Sequence, residues 1–268
     1  MKLSVPFLGR AKPFVAVVRL SGAIASGPRG RLSDEALAPL LERAFTRGKP
    51  AAVALLLNSP GGSPVQSSLI AARIRRLAIE NNVPVHAFVE DVAASGGYWL
   101  ATAADKIWLD PGSLVGSIGV ISAGFGFQDL IERHGIERRI HTAGASKSWL
   151  DPFRPERPED VARLQGLMGQ MHQVFVQQVL TRRPQLTGKD NFTGDIWLGQ
   201  QAVDLGLADG IGHLEPVMKS LYGEKLWFRP YQARRGLLAR FGGGVAAGAA
   251  EGALHSVEER AAFARFGL

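Results

Sequence analysis

Two glycine-rich turns carry the residue types that could do chemistry. Asn58-Ser59-Pro60-Gly61-Gly62 follows the apolar run Ala52–Leu57, and Ala94-Ser95-Gly96-Gly97 follows Val85–Val89. Each turn precedes a helical pattern, so main-chain N–H groups converge there and a helix dipole favours negative charge. A phosphate could use such a place, but neither turn has the lysine-bearing pattern of a phosphate loop. A developing oxyanion could use it too, because Gly61 and Gly62 let an N–H approach closely. Ser95, flanked by small residues between strand and helix, can project its hydroxyl into a cleft as a nucleophile, although the usual GxSxG pattern is absent. Taken alone, a Ser-Gly-Gly turn is more often structural than catalytic.

A serine nucleophile needs a base. The six histidines are His86, His134, His141, His172, His213 and His255. His86 lies mid-strand, His134 precedes Gly135 at a helix end, and none has a setting that marks it as a catalytic base. A lysine can serve if burial lowers its pKa. Moving lysine from about 10.4 to near 7 takes roughly 3 pK units, on the order of 4–5 kcal/mol. Lys147, in Ala143-Gly144-Ala145-Ser146-Lys147-Ser148, has small neighbours and leads into Trp149 and Phe153. Lys49, Lys106 and Lys189 sit at ordinary turns or strand ends. By composition alone Lys147 is still a surface-loop lysine more often than not.

The elements that must position these residues alternate between strand and helix. Strands are expected at Phe14–Leu20, Ala52–Leu57, Val85–Val89, Lys106–Leu109, Ile118–Ser122, Ile136–His141 and Leu226–Tyr231. Helices are expected from Ser33, an N-cap followed by Asp34 and Glu35, to near Gly48. Others are expected from Pro64 to Asn81, from Gly97 through Ala103, at Gln128–His134, from Pro158 to Thr181 and at Leu214–Tyr222. Asn191–Gly212 reads as a helix with a short strand. This spacing argues for βαβ units and an α/β fold with a mostly parallel sheet.

Composition limits the partners. The 268 residues carry a net charge of +7 and 46% hydrophobic residues, with no cysteine, so disulfides, thiol catalysis and thiolate metal sites are excluded. No nucleic-acid motif accompanies the positive charge, and a basic solvated surface accounts for it. No window has the roughly 18–20 apolar residues that span a bilayer. No apolar core of signal-peptide length precedes Arg10 and Lys12, so export by the ordinary route is not expected.

Four segments in order carry a resemblance: Asn58–Gly62, Val92–Tyr98, Ala103–Ile107 and Gly116–Val120. Gly199–Ala202 and Leu205–Asp209 extend it. Together they resemble the signal peptide peptidase family of the SppA type in its short form, from about Phe14 to Tyr222. That family has the ClpP/crotonase fold, a superhelix of repeated ββα and βαβ units. The resemblance implies a serine endopeptidase with a Ser-Lys dyad: Ser95 as nucleophile and Lys147 as general base. It further implies Ser117 as the residue that orients the lysine, and the N–H of Gly62 as an oxyanion donor, with Gly96 a plausible second. It implies signal peptide remnants or other unfolded apolar peptides as substrate, and a homo-oligomer of about eight subunits with the dyad completed between neighbours. No cofactor or metal is expected.

The peptidase domain is expected over 1–231, with 232–268 a C-terminal appendage. Many members of that family have an N-terminal membrane anchor and none is read here, so a cytoplasmic location is expected. The open alternative is peripheral contact with the inner membrane through Trp227–Phe241, where aromatic and apolar residues mix with arginines. Two other functions stay open: a crotonase-type acyl-CoA enzyme using Glu90 and Asp91, and a non-catalytic peptide-binding scaffold.

Overall fold

The structure is a computed structural model, and the residues it describes are 12–27, 32–144, 147–232 and 260–268. These fall into two units, one comprising 1–118 with 178–268 and the other 119–177.

The first unit is built on one sheet. Its strands are β1 (Phe14–Ser21), β2 (Ala52–Ser59), β3 (Val85–Ala94), β4 (Lys106–Leu109), β5 (Leu114–Gly116), β6 (Ile196–Leu198), β7 (Gly210–Ile211) and β8 (Trp227–Tyr231). The order is β6-β5-β3-β2-β1-β8, with β4 branching from β3 and pairing β7. Every pair is parallel except β5 with β6. Helices α1 (Asp34–Thr46), α2 (Pro64–Asn81) and α3 (Gly96–Ala101) link the early strands. Helices α6 (Gly199–Leu205) and α7 (Leu214–Tyr222) link the late ones. This is the α/β, mostly parallel architecture expected from the alternation of apolar runs.

Both faces of the sheet are covered, which is why β1 and β2 read as unbroken apolar runs. On one face Val15, Val17, Ala52, Ala54 and Phe88 pack with Met218 and Leu226. The alternate positions Ala16, Val18, Leu20, Val53, Leu55 and Leu57 are equally buried and point to the other face. Arg73 of α2 grips the Asp34 carboxylate with two bonds of 2.6 and 2.7 Å, tying α2 to the first turn of α1. The guanidinium holds the Asp34 carboxyl below the usual carboxylate range. Ser33 caps α1 as expected, its side chain accepting from the Ala36 N–H.

β3 is the pivot. Its first half, His86–Val89, pairs with β4, and its last residues, Val92–Ala94, pair with β5. The sheet forks at Glu90 and Asp91, and a register shift opposite Leu57 and Ser59 accompanies the fork. The fork brings the two glycine turns to the carboxyl ends of β2 and β3, where ligands collect in open α/β sheets.

Below the fork, polar side chains lock the connections. Asp209 accepts from the Ile107 N–H at 2.8 Å, from Lys106 at 3.1 Å and from Arg183 at 2.6 Å. Burial works against the Asp209 charge, but the Ile107 N–H and Arg183 outweigh it and hold its carboxyl below the ordinary value. The segments Ala103–Ile107 and Leu205–Asp209, far apart in sequence, meet in this network.

In the second unit, α4 (Gln128–Arg133) is followed by a loop and by α5 (Pro158–Arg182), whose last residues belong to the first unit. Phe127 stacks at 5.6 Å on Phe153, and Arg138 lies 5.2 Å over the Phe153 ring.

Two expected strands are corrected. The strand near residue 118 is β5, Leu114–Gly116; it stops because Gly116 and Ser117 have φ of +117° and +51°. Ile136–His141 is not a strand: among the described residues it has no strand partner, and it is mostly exposed. Two isoleucines among charged residues do not make a strand without an edge to pair with. The tail residues Arg234, Arg235, Leu237, Leu238, Arg240 and Phe241 lie outside the described residues. Trp227 and Phe228 belong to β8, where Trp227 packs on Phe14 at 5.1 Å.

Candidate active site

Ser95 ends β3 and caps α3 with φ +51° and ψ −121°, a conformation few non-glycine residues adopt. Its backbone is held from both directions. The Ser95 N–H donates to Gly116 O at 2.8 Å, and Ser95 O accepts from the Trp99 N–H at 3.0 Å. Strain of about 1–3 kcal/mol persists only where the surroundings over-determine it. Here α3 supplies that constraint: Gly96 through Ala101 are all buried, and the Tyr98 hydroxyl donates to Leu207 O at 2.8 Å. Burial pushes the Tyr98 hydroxyl up and keeps it neutral. A strand, a sharp strained turn and a short helix therefore present the Ser95 side chain, the layout of a nucleophile elbow without its usual sequence pattern.

The turn after β2 lies against this elbow. A Cβ on Gly61 would come within 2.8 Å of both Ala94 O and the Ser95 Cβ, so only glycine lets the two turns meet. A Cβ on Gly62, at φ +141°, would run into the Ile24 carbonyl. The Ile24 N–H donates to Gly61 O at 2.8 Å, and Ser63 N–H donates back to Ile24 O at 2.7 Å. A trans peptide points its C=O and N–H in opposite directions, so the Gly62 N–H is aimed away from Ile24. The Gly62 nitrogen lies 3.4 Å from where a Cβ on Gly96 would stand. Among the described residues neither the Gly62 nor the Gly96 N–H has a hydrogen-bond acceptor. Two free main-chain donors beside a presented hydroxyl are what an oxyanion hole requires.

Ser117 follows β5 in a second strained position, φ +51°, its N–H bonded to Asp195 O at 2.6 Å. The Gly116 carbonyl that precedes it is the acceptor for the Ser95 N–H, so Ser117 sits one strand away from the nucleophile. Trp197 and Asp195 O crowd Gly116 so closely that no side chain fits there. Lys147 belongs to the second unit. It is exposed, in a turn whose Gly144 O accepts the Lys147 N–H at 3.2 Å. The structure thus brings Ser95, Gly61, Gly62 and Gly96 into one place, with Ser117 on the neighbouring strand.

The described histidines of the first unit, His86 and His213, are engaged elsewhere. His86 is buried at the other end of β3, about 30 Å of strand from Ser95. The Trp108 indole N–H donates to its Nδ1 at 3.4 Å, so the proton sits on Nε2 and is donated to the Tyr222 hydroxyl at 2.9 Å. Burial lowers the His86 pKa. His213 pairs with Asp110 at 2.8 Å on the surface. The two carboxylates at the sheet fork are also taken: Glu90 pairs with Arg19 and Asp91 accepts from Asn58. No group of three or more metal-ligating side chains occurs among the described residues.

Sequence reasoning missed several residues that shape the site. Ile24, Ser59, Ser67 and Trp197 all pack against the active-site glycines. The signal for Ser59 was present inside Asn58–Gly62; Ile24 and Trp197 have no local signal, since only the fold brings them there.

A hydroxyl presented at an elbow to free main-chain donors is the layout of a serine hydrolase, here on a ClpP/crotonase-like sheet. The model of peptidase family S49 matches residues 78–226. A Synechocystis protein named as a protease is 32% identical over 209 residues, 77% of this chain and 73% of its own. The chain belongs to peptidase family S49.

An Enterococcus faecium protein carrying the name signal peptide peptidase SppA is 34% identical over 178 residues, 65% of this chain and 51% of its own. A Brucella abortus protein named as the Na(+)/H(+) antiporter NhaA is 46% identical over 271 residues, 95% of this chain. The chain spans only 37% of that protein's length, and the antiporter name belongs to the whole of it. No helix among the described residues is long and apolar enough to cross a membrane. Among solved structures, the 1510-N membrane-bound stomatin-specific protease, as a lysine-to-alanine variant with a substrate peptide, matches with a TM-score of 0.52. That match has 14% identity over 86% of this chain and 96% of the other, a likeness of fold.

Proposed function

We propose that this chain is a serine endopeptidase in which Ser95 is the nucleophile and Lys147 the general base. The strained Ser95 elbow, packed against Gly61 and Gly62 with two free N–H donors beside it, carries the reading. Lys147 Nζ takes the Ser95 Oγ proton as Oγ bonds to the scissile carbonyl carbon. The N–H groups of Gly62 and Gly96 hold the resulting oxyanion. The C–N bond then breaks, Lys147 returns the proton to the leaving amine, and an acyl ester remains on Ser95. Water, deprotonated by Lys147, attacks that ester and restores the serine. Ser117 hydrogen-bonds Lys147 and orients it.

The substrate in this reading is an extended, apolar peptide such as a signal peptide remnant or an unfolded segment, bound as an added strand beside the glycine turns. The peptidase domain extends over 1–231 and carries 232–268 as an appendage. The enzyme works as a homo-oligomer of about eight subunits, with the dyad completed between neighbours. It is cytoplasmic, with peripheral contact with the inner membrane as the alternative. A fluorophosphonate probe, which reacts with activated serines, tests the nucleophile. The account expects one modified peptide containing Ser95 and no labelling of Ser95→Ala. Equal labelling of Ser95→Ala would overturn it, and light scattering of the native protein would check the subunit number.

A further inference from the structure

The Ser59 hydroxyl is fully buried and uses both its hydrogen-bonding functions on two different loops. It donates to Gly22 O at 2.7 Å, beyond the end of β1, and accepts from the Gly61 N–H at 3.3 Å in the turn after β2. The same two loops are joined by main-chain bonds: Gly22 N–H to Asn58 O at 2.9 Å and Ile24 N–H to Gly61 O at 2.8 Å. Gly61 is therefore pinned at both ends, its N–H by Ser59 and its carbonyl by Ile24. The carbonyl bond fixes the peptide plane that aims the Gly62 N–H. Ser59 also reaches the nucleophile's own helix: a Cβ on Gly97 would stand 3.2 Å from the Ser59 Cβ.

We infer that Ser59 is a positioning residue that sets the direction of the Gly62 N–H and so tunes oxyanion stabilisation, without touching substrate. This rests on the peptidase reading above. Replacing the hydroxyl leaves Gly61 N–H and Gly22 O buried without a partner, and the turn can relieve that only by rotating the Gly61 peptides. A donor turned away from the oxyanion loses transition-state binding and leaves ground-state binding intact. A merely structural hydroxyl would instead lower the folded fraction and leave each folded molecule fully active.

The test compares Ser59→Ala with Ser33→Ala, steady-state kinetics being normalised to folded protein. Ser33 is also a buried serine, but its hydroxyl accepts from the Ala36 N–H at 3.3 Å as the cap of α1. The probes are a fluorogenic peptide and a peptidyl boronic acid, which captures the serine as a tetrahedral adduct. We expect Ser59→Ala to lose about tenfold or more in kcat with KM unchanged, and boronate affinity to fall in parallel; losing a donor outright costs about 10²–10³. Ser33→Ala should move neither. Should Ser59→Ala not fold, Ser59→Cys, which keeps a side chain there but bonds weakly, is read the same way. Unchanged kcat, a change in KM alone, or equal losses in both variants would overturn the inference. An inactive wild type would instead count against the peptidase reading itself.

Discussion

The turn that carries Ser95 and the turn that carries Lys147 are built on opposite principles. Around Ser95 the main chain is over-determined: a positive-φ serine, glycines that no side chain could replace, and bonds to β5 and α3. Around Lys147 the chain is exposed, and a Cβ on Gly144 would meet nothing within 4 Å. One half of the proposed dyad is preorganised by its own fold. The other half stands on an exposed turn.

That contrast can be broken in stages. Gly62→Ala should hit hardest, because its Cβ meets the Ile24 carbonyl; activity should fall at least about a hundredfold, as for a lost oxyanion donor. Retained turnover would show that the turn is not over-determined. Asp209→Ala should come next in stability. It strips Lys106, the Ile107 N–H and Arg183 Nη1 of their acceptor and should cost about 3 kcal/mol in denaturant unfolding, as breaking buried pairs does. Gly144→Ala, by contrast, meets only the backbone cost of its φ of +103° and should lose about 1–2 kcal/mol or less.

The smallest expected effect is the pH dependence of stability. The folded His86 has a lowered pKa, so the folded state binds fewer protons than the unfolded one. Its contribution is complete above the unfolded histidine value and is lost as pH falls towards the folded one. The lowered carboxyls Asp209 and Asp34 act in the same direction at lower pH. The thermal midpoint should therefore drop from about pH 7.5 to about pH 5.5, and His86→Gln should flatten that drop. A midpoint that rises on acidification would contradict the assignment.

The first unit was legible in the sequence where local signals sufficed. Buried strands Phe14–Ser21 and Ala52–Ser59 announced themselves as apolar runs, and Ser33 and the glycine turns fell where expected. The fork in β3 was not legible: Glu90 and Asp91 interrupt the apolar run, and only the partners β4 and β5 extend the strand to Ala94. β5 was misplaced because the left-handed backbone at Gly116 and Ser117 follows from the Ser117 N–H bond to Asp195 O and the crowding by Trp197, both remote in sequence. Of the site, Ser95 and the glycines could be singled out by type. The bracing by Ile24, Ser59 and Trp197 could not, since it depends on tertiary placement.

The most direct test of the account is cleavage of an unfolded protein by wild type, Ser95→Ala and Lys147→Ala, with thermal midpoint and oligomer size measured alongside. The account predicts that wild type cuts and both variants are silent at unchanged size, with Lys147→Ala, an exposed substitution, within about 0.5 kcal/mol of wild-type stability. Variants that cut as well as wild type would contradict the dyad, and a wild type that binds the unfolded protein without cutting it would leave a scaffold.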